Sequence, residues 1–160
     1  MKRESRGFLT GNIKTALEHV DSNYILIVQH DFPFVQYPNL IEIIQDMDHN
    51  PELKHVRFNK RANLKIRSDA VNDLFGKQLI SINNTYTRTP SWSDNNHICK
   101  TSYYINLVFI EGGKRFPESD LINNIKTLKC HDKYGTYLYG PLEYPKVINH
   151  TDGAKTRTRS

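Results

Sequence analysis

Near the start of the chain, apolar residues recur at helical spacing. Phe8, Leu9, Ile13, Ala16, Leu17 and Val20 share one face, so Gly7 to Val20 is predicted as an amphipathic helix, ended by Asp21, Ser22 and Asn23. The pattern then changes. Tyr24 to Gln29 is a continuous apolar run rich in β-branched residues, the signature of a strand covered on both faces, and is predicted as a central strand. Pro38 opens a second helical pattern through Leu40, Ile41, Ile44 and Met47, closed by Asn50 and Pro51, and Lys54 to Phe58 reads as the next strand. Beyond it the signal weakens: a short helix is expected near Asp69 to Phe75 and a strand near Gln78 to Ile82. The polar stretch Asn83 to Asn96 is expected to be a functional loop, because it is long for an idle connection. His97 to Phe109 suits helix or strand. Pro117 precedes a helix carrying Glu118, Leu121, Ile122, Ile125 and Leu128, with its acids at the positive end of the helix dipole. His131 to Ser160, rich in Tyr, Gly and Pro, reads as turns, short strands and a basic tail. The expectation is one α/β domain over 1–160, with a core over 7–150, a tail over 151–160, and a mixed sheet flanked by helices.

A chain of 160 residues buries roughly 70% of its unfolded surface, enough for a core, and 9 Tyr and 7 Phe offset the low mean hydropathy of −0.62. No apolar run is long enough to span a membrane, and the first residues carry no apolar leader, so the default compartment is the cytoplasm. Cys99 and Cys130 have neither metal-site spacing nor an oxidising context, which predicts buried thiols. For the same reason the glycosylation triplets at Asn83 and Asn149 are read as chance matches. The net charge of +5 suits a phosphate-bearing ligand, but the Lys and Arg residues are dispersed and no nucleic-acid partner is expected.

Four clusters place His or carboxylates at predicted element boundaries: Gln29-His30-Asp31, Ser93 to His97, Phe116-Pro117-Glu118, and Asn149 to Gly153. His30 and Asp31 draw the most interest, since open α/β sheets form their ligand crevice at the carboxyl ends of strands. Asp31 also suits Mg²⁺ or Mn²⁺, which take hard oxygen ligands, with His accepted by Mn²⁺. Each cluster has a plainer explanation too. Asp31 fits a turn carboxylate, Asp94 a helix cap, His97 a packed imidazole, Glu118 a dipole-satisfying acid, and His150 a structural histidine. Tyr134, Tyr137 and Tyr139 alternate as in a half-buried strand.

Gly7 to Phe34 resembles the segment of family 2 glycosyltransferases in which a helix packs before the strand delivering the aspartate of the DxD motif, here reading Gln-His-Asp. Gly112-Gly113, Glu118 near a helix start, and the late His150 continue the order of landmarks of the GT-A fold, and the resemblance covers about Gly7 to Arg159. It implies a partial GT-A fold and a metal-dependent enzyme that moves a sugar from a nucleotide-diphosphate donor to a glycan or small hydroxyl acceptor. Asp31, His150 and His30 would then hold Mn²⁺ or Mg²⁺. Glu118 or Asp94, with Asp120 beside them, would be the acceptor base, because the acidic motif reads Pro-Glu-Ser rather than two adjacent acids. Lys155 and Arg157 would face the phosphates, and Trp92, His97 and Tyr137 would line the donor and sugar. The units that bind base and ribose in this family are expected in a companion chain. Two rivals follow: a non-catalytic carbohydrate- or nucleotide-binding remnant, and a metal-dependent nuclease built on Asp94 to His97 and Lys100.

Overall fold

The computed structural model describes residues 8–64, 77–89, 92–112, 116–121 and 128–151. The helix expected over 69–75, the Ile122 and Ile125 positions, and Lys155 and Arg157 lie outside them.

The amphipathic start forms α1 (Phe8–Leu17), followed by β1 (Tyr24–Ile27). α2 (Leu40–His49) begins where the Asn39 side chain accepts from the Ile41 and Glu42 N–H groups, and Asn50 caps its other end by donating from its backbone to the Asp46 carbonyl. β2 (His55–Arg57), β3 (Gln78–Ile80) and β4 (Thr85–Arg88) follow. His97 to Phe109, open between helix and strand from its sequence, is divided between the two. β5 (His97–Lys100) turns directly into α3 (Thr101–Tyr103), a π turn (Tyr104–Val108) and α4 (Phe109–Glu111). α5 (Pro117–Leu121), α6 (Leu128–Tyr134) and β6 (Thr136–Tyr139) complete the order. Gly135, at φ +55°, makes the left-handed turn from α6 into β6, where a side chain would meet the Glu52 carbonyl.

The six strands form one mixed sheet in the order β1-β5-β2-β6-β4-β3, in which the β2–β6 pair is parallel and the other neighbours are antiparallel. One face packs on α2, through Ile43, Met47, Val56, Phe58, Ile98 and Tyr137. The other carries Ile13 of α1, Ile25, Cys99, Tyr104, Val108, Leu121 and Tyr134. The chain is thus mixed α/β, with helices on both faces of the sheet.

Three sequence expectations are corrected. Tyr134, expected in a strand with Tyr137 and Tyr139, ends α6, and only Tyr137 and Tyr139 lie in β6. The Tyr24–Gln29 run is an edge strand: β1 pairs only with β5 among the described residues, and Leu26 and Val28 are 36% and 54% exposed. Apolarity on both faces therefore does not reflect burial on both faces within this chain. The polar Asn83–Asn96 stretch contains β4, whose Tyr86 and Thr87 are buried, because Thr and Tyr pack on a pleated surface as readily as aliphatic residues.

Candidate functional site

The carboxyl end of β1 runs into a four-residue turn, Gln29-His30-Asp31-Phe32, closed by the Phe32 N–H donating to the Gln29 carbonyl at 3.2 Å. Past this turn, residues 31–35 run antiparallel to 147–151. Phe34 bridges Ile148, the Val35 N–H donates to Val147, the Asn149 N–H to Pro33, and the Thr151 N–H to Asp31 at 2.9 Å. This ribbon sets His150 beside the turn. Its ring stacks on Phe32 at 4.6 Å between centroids and 14° between planes, and its Nε2 lies 3.2 Å from Asp31 Oδ2. Asp31 is largely covered, with a side chain 15% exposed, whereas that of His150 is 40% exposed. Asp31 Oδ1 is buried and has no hydrogen-bond partner among the described residues. Two residues far apart in sequence thus offer an uncommitted carboxylate oxygen and a solvent-facing imidazole side by side. His30 is exposed, at the lip of an open groove of about 850 Å³ between α1 and β1.

A second acidic group adjoins the first through backbone ties. The Gln29 Nε2 donates to the Asp94 carbonyl at 2.7 Å, so the Asp94 loop is fastened to the start of the Asp31 turn. Burial, then the neighbouring Glu118 carboxyl, push the Asp94 carboxyl up to about 6 from an ordinary 3.8, while Gln29 opposes the rise. Glu118 reaches Asp94 because α5 starts directly against the end of α4. A Cβ on Gly112 would sit 2.5 Å from the Val108 carbonyl and 2.9 Å from Pro117 Cβ, so only glycine permits this approach. Asp120, on the same short helix, is exposed.

Beneath the Asp94 loop is a buried aromatic and imidazole cluster. His97 Nδ1 bonds the Asn95 carbonyl at 2.6 Å and its Nε2 bonds the Tyr104 hydroxyl at 2.8 Å. These contacts fix the tautomer with the proton on Nδ1 and the hydroxyl donating. The π turn presents Tyr104 to this bond, an instance of a widened helical turn next to a candidate site. Burial brings His97 down to about 4, so it is neutral at physiological pH. His55 stacks obliquely on His97 at 4.4 Å between centroids. Burial, then His97 and Arg57, hold His55 well below the histidine range, and among the described residues neither of its ring nitrogens has a partner.

The structure therefore sorts the sequence-selected residues. Asp31 and His150 are in contact, and Asp94 and Glu118 are in contact. His30 stands at the surface near both. Trp92, His97 and Tyr137 are each 0% exposed and offer no open face to a ligand; their aromatic surface is core. Among the described residues no three of His, Cys, Asp and Glu gather to hold a metal.

No family model, curated protein or solved structure matches the chain. Sequence reading placed Asn96 in the Ser93 to His97 cluster without a role of its own and missed Tyr104; both hold the site from below, and a buried Asn or Tyr carries no spacing signature for such a part. Among the described residues no helix is long and apolar enough to cross a membrane.

Proposed function

We propose that this chain is the metal- and acceptor-binding half of a GT-A-type glycosyltransferase, acting on a nucleotide-diphosphate sugar and an acceptor hydroxyl. The observation that carries the reading is the meeting of Asp31 and His150 at the end of β1, with Nε2 and Oδ2 3.2 Å apart and Oδ1 left without a partner. An anionic oxygen plus an imidazole fits Mn²⁺, which accepts both donors, and a site with only two protein ligands leaves positions for diphosphate oxygens and water. When bound, such an ion supplies positive charge to a departing diphosphate, worth several kcal/mol.

The chain's own residues account for the remaining requirements. The reaction joins the acceptor oxygen to the anomeric carbon, breaks the bond from that carbon to the diphosphate, and needs a base for the hydroxyl proton. The Asp94–Glu118 pair suits that task. A carboxyl held near 6 is ionised at neutral pH and still basic enough to take a proton in the transition state. Phe32 orients the His150 ring by stacking, and the Asp94 loop is tied to Gln29. The exposed apolar edge of β1, with Leu26 and Val28 open beside the α1 groove, supports a companion polypeptide that binds base and ribose. The nuclease alternative loses its main residues: Asn95, Asn96 and His97 are buried, and His97 is fully bonded inside the protein.

Calorimetry of the chain with Mn²⁺ and a panel of nucleotide sugars tests the proposal. A Mn²⁺-dependent heat for at least one donor, lost in Asp31→Ala and His150→Ala, is expected. Mn²⁺ binding equal in the parent and in both variants would overturn it.

A further inference from the structure

One buried side chain spans both ends of the turn that presents Asp31. Asn96 is 0% exposed, yet it belongs to the loop that carries Asp94 rather than to the turn. Its Oδ1 accepts from the Gln29 N–H at 2.8 Å, and its Nδ2 donates to the Phe32 carbonyl at 2.7 Å. Gln29 and Phe32 are the first and last residues of the four-residue turn, so a single planar carboxamide closes it from outside. The β1–β5 ladder ends at the Ile27–His97 pair. Beyond that point the Asn96 side chain takes the place of the missing strand neighbour. Its own backbone is fixed as well, since its carbonyl accepts from the Phe58 N–H at 2.9 Å on the central strand segment.

We propose that Asn96 is a positioning residue that sets where Asp31 stands relative to His150 and to the Asp94 loop. The clamp needs one donor and one acceptor at fixed separation, which only an Asn carboxamide supplies here. Asp keeps the shape and the acceptor but sets a carboxylate against the Phe32 carbonyl, Ala loses both bonds, and Gln is one methylene too long for the buried space. Because Phe32 also stacks on His150, releasing the Phe32 carbonyl loosens both members of the candidate metal pair at once. The functional meaning of the clamp rests on the transferase reading, but its mechanical content does not.

The test is nuclear magnetic resonance on the labelled chain and three variants: Asn96→Ala, Asn96→Asp and Leu53→Ala. Leu53, buried, precedes the start of β2, whereas Asn96 bonds Phe58 past the other end of that strand, so Leu53→Ala serves as a control for general destabilisation. In Asn96→Ala, the Gln29 amide is expected to exchange about tenfold or more faster, and cross-relaxation between the Phe32 and His150 rings is expected to disappear. In Asn96→Asp, Gln29 keeps its protection while the ring contact weakens, a split that a general loss of stability does not produce. Leu53→Ala leaves both signals as in the parent. With Mn²⁺ as probe, the concentration that half-broadens the His150 ring signals is expected to rise about tenfold or more in both Asn96 variants. Ring contacts and Gln29 exchange that respond to Leu53→Ala as strongly as to the Asn96 changes would overturn the clamp. Absence of Mn²⁺ broadening in the parent, with the ring-contact pattern as expected, would instead remove the metal reading and leave the clamp standing.

Discussion

The Asp94 and Glu118 carboxyls are close enough to act on each other although they come from separate segments, one preceding β5 and the other opening α5, which packs on the end of α4 at Gly112. Two carboxyls in that contact do not ionise independently, and the burial of Asp94 adds to the effect. The Asp94 carboxyl is raised in the folded protein, so its contribution to stability is fully present below its ordinary value of 3.8 and is lost as pH rises through about 6. The Tm difference between the parent and Asp94→Asn is therefore expected to shift against the parent between about pH 4 and 6 and to stay level above. Thermal unfolding across that range measures it. A difference independent of pH would mean that the Asp94 carboxyl is not raised in the folded protein.

The buried imidazoles act with the opposite sign. His97 is lowered to about 4 and His55 also lies well below 6.5, so their contribution is present above 6.5 and is lost as pH falls toward 4. His55→Leu removes a fully buried ring with two unpartnered nitrogens. The variant is expected to be more stable at pH 7 by on the order of 1 kcal/mol and to lose less stability on acidification. Denaturant titrations at pH 7 and pH 5 give both numbers. Marked destabilisation at pH 7 would show that the His55 nitrogens are bonded in solution.

Asp46 is the main polar anchor on the other face. Its carboxylate, buried at 0% exposure, accepts from the Ile82 and Asn83 N–H groups at 3.0 and 3.2 Å, and from Asn84 and the Tyr86 hydroxyl at 2.7 Å each. Burial opposes its ionisation, but these donors win and hold its carboxyl below the usual range. Asp46→Ala strands all four donors and is expected to cost about 3–5 kcal/mol, read as a lower midpoint of urea unfolding at unchanged slope. A loss under about 1 kcal/mol would contradict the network.

The elements that were legible from sequence are those in which one local signal dominates. α1, β1, α2 and β2 stand within a few residues of their predicted spans, since each combines a clear period with Asn or Pro punctuation. The position of β1 at the sheet edge was not legible: a run such as Tyr-Ile-Leu-Ile reports what a strand can bury, not which neighbours the chain brings to it. β4 was hidden for a related reason, as Thr-Tyr-Thr-Arg is polar by composition but suited to a pleated surface. The candidate site shows the same division. Asp31 announced itself by following a strand, and His150 only as a late histidine in the order of landmarks. The side chains that join them to the Asp94 loop, Gln29 and Asn96, act through backbone groups and leave no pattern. Trp92 and Tyr137, both fully buried, drew notice as ligand surfaces because large aromatics carry the same composition signal in a core as in a sugar site.

In the proposed function Asp31 and His150 grip one cation together with a nucleoside diphosphate. A crystal soaked with Mn²⁺ and a nucleoside diphosphate, read from the anomalous signal of the metal, tests it directly. A metal peak coordinated by an Asp31 carboxylate oxygen and His150 Nε2, with diphosphate oxygens completing its shell, is expected. A peak bound by other residues, or a closed Asp31–His150 contact with no metal at saturating Mn²⁺, would contradict it.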